Sequence, residues 1–339
     1  MKRILVIGGG LIGIRHVRAV QANADCTLVG LVDPDLGIDA GVDVPRFGDI
    51  SQVTGDVDGV IIATPTGLHV AHGIAAAERG WHVLIEKPVA ADLEGAQALQ
   101  AALERAGVRS LVGHHRRYHA PVQQLRALVA QGAIGTPVTA SLIWAMRKPD
   151  SYFEGNWRTA GGSPVMINLV HDIDILRFVL GEVSDVACLA GAPLRGHAQT
   201  SKGSGTARIE SGAVALRFAQ GATATISFSD IAPSPWGFEA ATGENPNIGT
   251  TGQDMMWITG TKGGISFPSL TLWQGSDWSV AAQIAELDAE VNRQPPLEAQ
   301  LAHFVKVMDG ATPLIDVADA ARTLDVALQI EAQLTRQAA

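Results

Sequence analysis

The chain has 339 residues, 47% hydrophobic and 17% charged, so it can bury a substantial core or two and is not a candidate for intrinsic disorder. Its formal net charge of -9, without any Lys/Arg cluster, excludes nucleic acid and an anionic membrane as expected partners. The two cysteines, Cys26 and Cys188, sit in apolar strand-like contexts without metal-ligand spacing, so reduced buried thiols are expected and no metal.

The opening apolar run ends at Ile7 and is too brief for a signal-peptide core. No apolar stretch reaches the ~20 residues needed to span a bilayer, so a cytoplasmic location is expected. Over the first part of the chain, short Val/Ile/Leu runs alternate with helical patterns, as in βαβ units around a parallel sheet buried on both faces. The strands are predicted near Arg3–Ile7, Thr27–Val32, Gly59–Ala63, Val83–Ile85 and Ser110–Val112. The helices are predicted at Ile12–Gln21, Leu68–Arg79 and Leu93–Arg105, the last with Asp92 as N-cap. From Thr136 the pattern changes to period 2, with Val138, Ala140, Leu142, Trp144 and Met146 alternating with their neighbours. A helix is predicted at Ile167–Leu180. Strands follow at Val183–Leu189, Gly212–Phe218, Ala222–Phe228, Met255–Gly260 and Gly264–Phe267. The turn-rich stretch Asp230–Gln253 reads as a lid, a binding loop or a disordered segment. Helical patterns close the chain at Leu297–Met308 and Val317–Leu334. The fold expected is therefore α/β: an N-terminal Rossmann domain over 1–119, an α+β domain over 120–298 and C-terminal helices over 299–339.

Gly8-Gly9-Gly10-Leu11-Ile12-Gly13 fits G-x-G-x-x-G, and it lies between a predicted strand and a predicted helix, the context that gives this weak motif meaning. Gly8 allows the tight turn, Gly10 lets backbone approach a pyrophosphate, and Gly13 lets helix pack on strand. The helix-start N–H groups of Leu11, Ile12 and Gly13 would then face phosphate. Asp33 stands at the end of the second strand, 20 residues after Gly13. A carboxylate there accepts from the adenosine ribose hydroxyls and repels a 2′-phosphate. Pro34 and Asp35, not arginine, follow it, which favours NAD over NADP. Asp33 also suits a strand-end turn, and the two roles are compatible.

Glu86-Lys87-Pro88 ends the run Val83–Ile85, and the carboxyl ends of parallel strands are where such sheets bind ligands. Taken alone, Lys87 reads as a solvated loop lysine. These segments together, with Ala63-Thr64-Pro65 and His69, resemble the Gfo/Idh/MocA oxidoreductase family. The second half does too, through Trp157-Arg158, Gly161-Gly162 and His171-Asp172-Ile173-Asp174. The resemblance implies a Rossmann domain followed by an α+β domain with a large, mostly antiparallel sheet, and an active site at the nicotinamide between them. Lys87 matches the family's catalytic lysine and His171 its acid/base histidine. Glu86 would place the nicotinamide ribose, and the Lys87–Pro88 peptide would be cis. Ala63, Thr64, Pro65 and His69 would line the cofactor, with His69 and His72 on one helix read as surface or cofactor-side packing. Ile167 stands where many members carry an aspartate, so a polyol-type proton relay through that carboxylate does not transfer. Asn168, one position along, is expected to bind a substrate hydroxyl.

Arg116, Arg117 and Tyr118 follow the fifth strand, and either bind substrate or form a solvated basic turn. Trp157, Arg158 and the run Trp236–Glu239 could wall the pocket. The function expected is NAD(H)-dependent hydride transfer at a secondary alcohol or ketone of a cyclic polyol, sugar or sugar acid. The alternatives are an NAD-dependent glycoside hydrolase of the same fold and a non-catalytic NAD-binding sensor. One uncovered sheet face implies a homo-oligomer, a dimer or tetramer.

Overall fold

The computed structural model describes residues 1–153, 163–195, 208–285 and 295–338. The chain divides into two compact units, Met1–His119 with Arg293–Asp325, and Ala120–Asn292 with Val326–Ala339.

In the first unit a six-stranded parallel sheet has the order β3-β2-β1-β4-β5-β6. Its strands are β1 (Lys2–Ile7), β2 (Cys26–Val32), β3 (Arg46–Phe47), β4 (Gly59–Ile62), β5 (His82–Ile85) and β6 (Ser110–Val112). That order is the doubly wound dinucleotide-binding one, with its switch point between β1 and β4. The strands are apolar because both faces are covered: Ile4, Leu5, Val6, Val60, Ile61, Ile62, Val83, Leu84 and Ile85 are all sealed from solvent. Between them run α1 (Leu11–Ala22), α2 (His69–Glu78) and α3 (Leu93–Ala106). Asp92 caps α3 through its carboxylate, which accepts from the Gly95 N–H at 2.7 Å, and Gly107 ends it in the left-handed region. The helix predicted from Leu68 instead begins at His69, after a 3₁₀ turn at Thr66–Leu68.

The second unit opens with α4 (Ala120–Ala130) and β7 (Pro137–Ala145). A π-helical turn at Val165–Leu169 leads into α5 (Val170–Leu180), where Ile167 and Asn168 had been read as plain helix. Next come β8 (Val183–Ala190), β9 (Ser211–Phe218), β10 (Thr223–Ser229), α6 (Phe238–Thr242), β11 (Met256–Gly260), β12 (Gly263–Phe267), β13 (Leu272–Gln274) and β14 (Gln283–Ala285). They form an eight-stranded sheet ordered β14-β13-β12-β11-β7-β10-β9-β8, antiparallel except for β7 against β10. Alternation decides its faces: Ala140, Leu142, Trp144, Val214, Leu216, Ala224, Ile226 and Phe228 are buried, while Ser141, Thr225, Ala215 and Trp257 are exposed.

The stretch 230–253 is not a loose loop. It contains α6, with Phe238, Glu239, Ala240 and Ala241 all buried, and Thr251 donates its N–H to the Ala240 carbonyl at 2.8 Å. The chain ends in α7 (Pro296–Met308) and α8 (Val317–Ala338). These helices are not a separate segment: α7 and the start of α8 belong to the first unit, the rest of α8 to the second. Among the described residues no helix is long and apolar enough to cross a membrane.

Candidate active site

The carboxyl ends of the first unit's strands carry almost every residue singled out there. Gly8 follows β1 at φ 99°, and a Cβ on it would lie 2.6 Å from the Ala63 carbonyl oxygen at the end of β4. A Cβ on Gly13 would lie 1.8 Å from the Gly8 carbonyl oxygen, so α1 packs on the turn only through a glycine. Gly10 is different. Its backbone is extended, and a Cβ there would meet nothing within 4 Å. No contact inside the chain requires this glycine. It leaves open space at the head of α1, where no side chain caps the first-turn N–H groups of Leu11, Ile12 and Gly13. Leu11 turns its side chain outward, 72% exposed. An uncapped helix N-terminus facing open space fits a pyrophosphate.

Asp33, at the end of β2, accepts the Gly9 N–H on one carboxylate oxygen at 2.7 Å and the Asp35 N–H on the other at 2.9 Å. The turn-starting role holds, since the carboxylate accepts the Asp35 N–H, and the same carboxylate is pinned against the glycine loop. Each oxygen keeps a lone pair for a ribose hydroxyl. The residues present therefore fit NAD.

Glu86, at the end of β5, is buried and accepts a hydrogen bond from His16 Nε2 at 2.8 Å. Burial pushes its pKa up, but His16, His115 and Lys87 together pull it down to about 2, so it is a carboxylate throughout the working range. Gly113 after β6 makes the room, since a Cβ there would lie 2.8 Å from Glu86 Oε2. His16 was not foreseen; only its place one turn after Gly13 could have pointed to it. Lys87 is half-buried, its own N–H donates to Glu86 Oε2 at 3.2 Å, and the Lys87–Pro88 peptide is cis.

His69 is buried rather than on the surface. Its Nδ1 lies 2.8 Å from the Pro88 carbonyl oxygen and its Nε2 2.8 Å from that of Thr64, so it ties the loop after β4 to the loop carrying Lys87. Burial lowers its pKa. Arg117 and Tyr118 are not a solvated basic turn. Arg117 is buried, with Nη1 2.6 Å from Asp319 and 3.1 Å from the Leu314 carbonyl oxygen, and Tyr118 Oη lies 2.7 Å from His303 Nδ1. These bonds commit both side chains to packing within the first unit. Arg116 is buried as well.

In the second unit His171 is buried on α5 with Asp172 and Asp174. Asn168 lies three residues earlier, on the π-helical turn, and π-turns inside helices recur at functional sites. Its Oδ1 accepts from Lys148 Nζ at 2.9 Å, and its Nδ2 reaches Glu239 Oε1 at 3.4 Å. Glu239 Oε2 accepts from Trp144 Nε1 at 3.2 Å. Of the Trp236–Glu239 run, Phe238 and Glu239 are buried and Trp236 is 38% exposed. Trp157, Arg158, Gly161 and Gly162 lie outside the described residues. Lys148 was not foreseen; its only sequence signal is its place just past the period-2 strand.

Comparison with known proteins agrees with this geometry. Residues 2–114 match the model of the GFO/IDH/MocA oxidoreductase family's NAD-binding Rossmann fold, and residues 122–266 match the GFO/IDH/MocA C-terminal domain. The chain belongs to this oxidoreductase family, and its N-terminal domain is the family's NAD-binding Rossmann domain. Among curated relatives, a 1,5-anhydro-D-fructose reductase of Ensifer adhaerens is 40% identical over 131 residues, 38% of this chain and 39% of that protein. Inositol 2-dehydrogenase 3 of Saccharopolyspora erythraea is 32% identical over 189 residues, 53% of this chain and 54% of that protein. These matches span about half or less of the relatives' length. The fold recurs in a solved oxidoreductase from Agrobacterium radiobacter in complex with NAD+, L-tartaric acid and magnesium. That structure has a TM-score of 0.78 and 21% identity, covering 98% of this chain and 96% of that one.

Proposed function

We propose that the protein is an NAD-dependent dehydrogenase or reductase acting on a secondary alcohol or ketone of a polyol or sugar. The observation that carries this is the glycine cradle: Gly8 and Gly13 are required by the chain's own packing, while nothing in the chain requires Gly10, which leaves open space at the uncapped head of α1. NAD bound there would supply hydride acceptance and return at its nicotinamide. The chain's residues supply position and proton control. Leu11, Ile12 and Gly13 offer N–H groups to phosphate, and Asp33 offers lone pairs to the adenosine ribose. Ala63, Thr64 and Pro65 border the cofactor, and His69 positions their loop against that of Lys87. Glu86, fixed as a carboxylate by His16, holds the nicotinamide ribose. Lys87 polarises the substrate oxygen and His171 takes or returns its proton. Relatives named as an anhydrofructose reductase and inositol dehydrogenases support the substrate class. The test is a screen of polyols, sugars and sugar acids with NAD, read as NADH absorbance. Net NADH from at least one is expected. NAD binding with no turnover would favour a sensor, and glycoside cleavage without net NADH a hydrolase.

The exposed face of the eight-stranded sheet carries Trp257, Trp273 and Ile284, an apolar area that suits contact with a second copy. A dimer or tetramer is expected in sedimentation; a monomer at micromolar concentration would rule this out. We place the chain in the cytoplasm.

A further inference from the structure

The second unit holds a charged cluster outside the residues assigned above. Asp230, past the end of β10, is fully buried and draws three cations. Arg208 bonds its carboxylate, Arg195 donates to its main-chain carbonyl at 2.5 Å, and Lys148 Nζ lies 3.8 Å from Oδ2. Glu210, buried beside them, accepts the N–H groups of Leu194 and Arg195 at 2.7 and 3.2 Å. Glu239 is the third buried carboxylate, and Asp150, at the exposed rim, lies 4.0 Å from Arg195. Among the described residues the buried carboxylates of Asp230, Glu210 and Glu239 match the three cations in number.

Lys148 nevertheless has donors to spare. Its ammonium carries three N–H groups and, among the described residues, makes one hydrogen bond, to Asn168 Oδ1. The Trp144 and Tyr152 rings flank it at 5.5 and 5.2 Å, and its side chain keeps 11% exposure, so the group is walled but not sealed. The bond from Lys148 fixes which end of the Asn168 amide is oxygen. The amide nitrogen then points the other way, toward Glu239 at a long 3.4 Å. Asn168 is half-exposed and three residues before His171, close to its face of the helix. Two donors and one carboxylate acceptor thus stand together, with the amide three residues before the proposed acid/base.

We propose that Lys148 and Asn168 bind two neighbouring hydroxyls of an uncharged polyol or sugar, and that Glu239 accepts a proton of that diol. This rests on the reading of the protein as a polyol or sugar dehydrogenase and narrows its substrate. A hydroxyl both accepts and donates, so it satisfies the Lys148 and Asn168 N–H groups and still donates to Glu239. A carboxylate in the same place has no proton to give. It would meet the Glu239 and Asp230 charges at close range, which selects against sugar acids. The groups facing Lys148 are Asp230 past β10, Arg195 past β8, Arg208 before β9 and Glu239 on α6. Burial pushes the lysine pKa down, Asp230 and Glu239 raise it, the arginines lower it, and it settles at about 8. Substrate affinity should therefore fall as pH rises through about 8.

The experiment uses the full chain with four probes: myo-inositol, D-glucose, D-gluconate and D-glucuronate. KM comes from NADH formation, and Kd on the NADH-loaded protein from calorimetry, so binding is read without turnover. A neutral probe is expected to bind at least about tenfold more tightly than the acids. Lys148→Met should raise its KM and Kd by about 10–100-fold, with a much smaller change in kcat and an unchanged Kd for NAD, and should abolish the alkaline rise in KM. Asn168→Ala, which removes the amide donor without adding a charge beside Glu239, should also raise KM, and a melting curve for each variant guards against misfolding. Tighter binding of gluconate or glucuronate overturns the proposal, as does an unchanged KM in both variants; in either case turnover with NAD leaves the dehydrogenase reading standing. If no probe binds and none yields NADH, both fall together.

Discussion

Lys87→Met is expected to lower kcat by about 10²–10⁴-fold, the usual cost of losing a positioned acid/base or polarising group. Its Kd for NAD should stay within about threefold, because the proposed phosphate and adenosine contacts lie elsewhere on the sheet edge. Lys87 is half-buried just past β5, beside a carboxylate whose pKa is held down to about 2. Its charge is therefore balanced at every working pH, and in the proposed role its removal would strip the reacting oxygen of its polarising partner. His171→Ala should produce a loss of similar size. His171 is buried on α5, so a melting curve must accompany the rates. A folded His171→Ala variant with near-normal kcat would remove the histidine from the mechanism and leave Lys87 or a bound water as the acid/base. Full activity in both variants would refute the assignment of the pair.

The second large effect concerns the cofactor. Gly10→Val should weaken NAD binding by about 100-fold or more, since the new side chain occupies the space at the helix head where phosphate would sit. The Gly10 backbone is extended and a Cβ there meets nothing within 4 Å, so the fold should lose only about 1 kcal/mol, the difference between glycine and a β-branched N-cap. Gly13→Ala cannot make this separation, because its Cβ would overlap the Gly8 carbonyl oxygen. The paired change Asp33→Ser and Pro34→Arg should reverse the preference from NAD toward NADP, with serine retaining an acceptor for the Gly9 N–H. Calorimetric titration of both cofactors reads each result. Tighter NADP binding by the unaltered chain would refute the role given to Asp33.

The sequence carried the first sheet well because its strands are apolar on both faces and sit between strong helical periods; β1, β2, β4, β5 and β6 fall within one residue of their predicted ends. β3, β13 and β14 were missed: runs of two or three residues, such as Arg46–Phe47, have no period to detect. α6 was hidden for the same reason, five residues inside a turn-rich stretch, although Phe238 and Glu239 are buried there. α4 begins Ala120-Pro121, and a proline in the first turn is permitted, but the basic run before it drew the reading toward a ligand site. The glycine fingerprint was legible because its demands are local. Pairings across long sequence separations were not: Arg117 with Asp319, His16 with Glu86 and Lys148 with Asn168 obey no spacing rule, and only the folded chain brings them together.

The central claim is hydride transfer between a substrate carbon and a cofactor held at the head of α1. Its most direct test uses a substrate from the screen deuterated at the reacting carbon, with NADH recovered and weighed by mass spectrometry. The account predicts one deuterium per NADH, a primary isotope effect on the chemical step, and loss of the transfer in Lys87→Met. Product formed with no deuterium in the recovered NADH would contradict it.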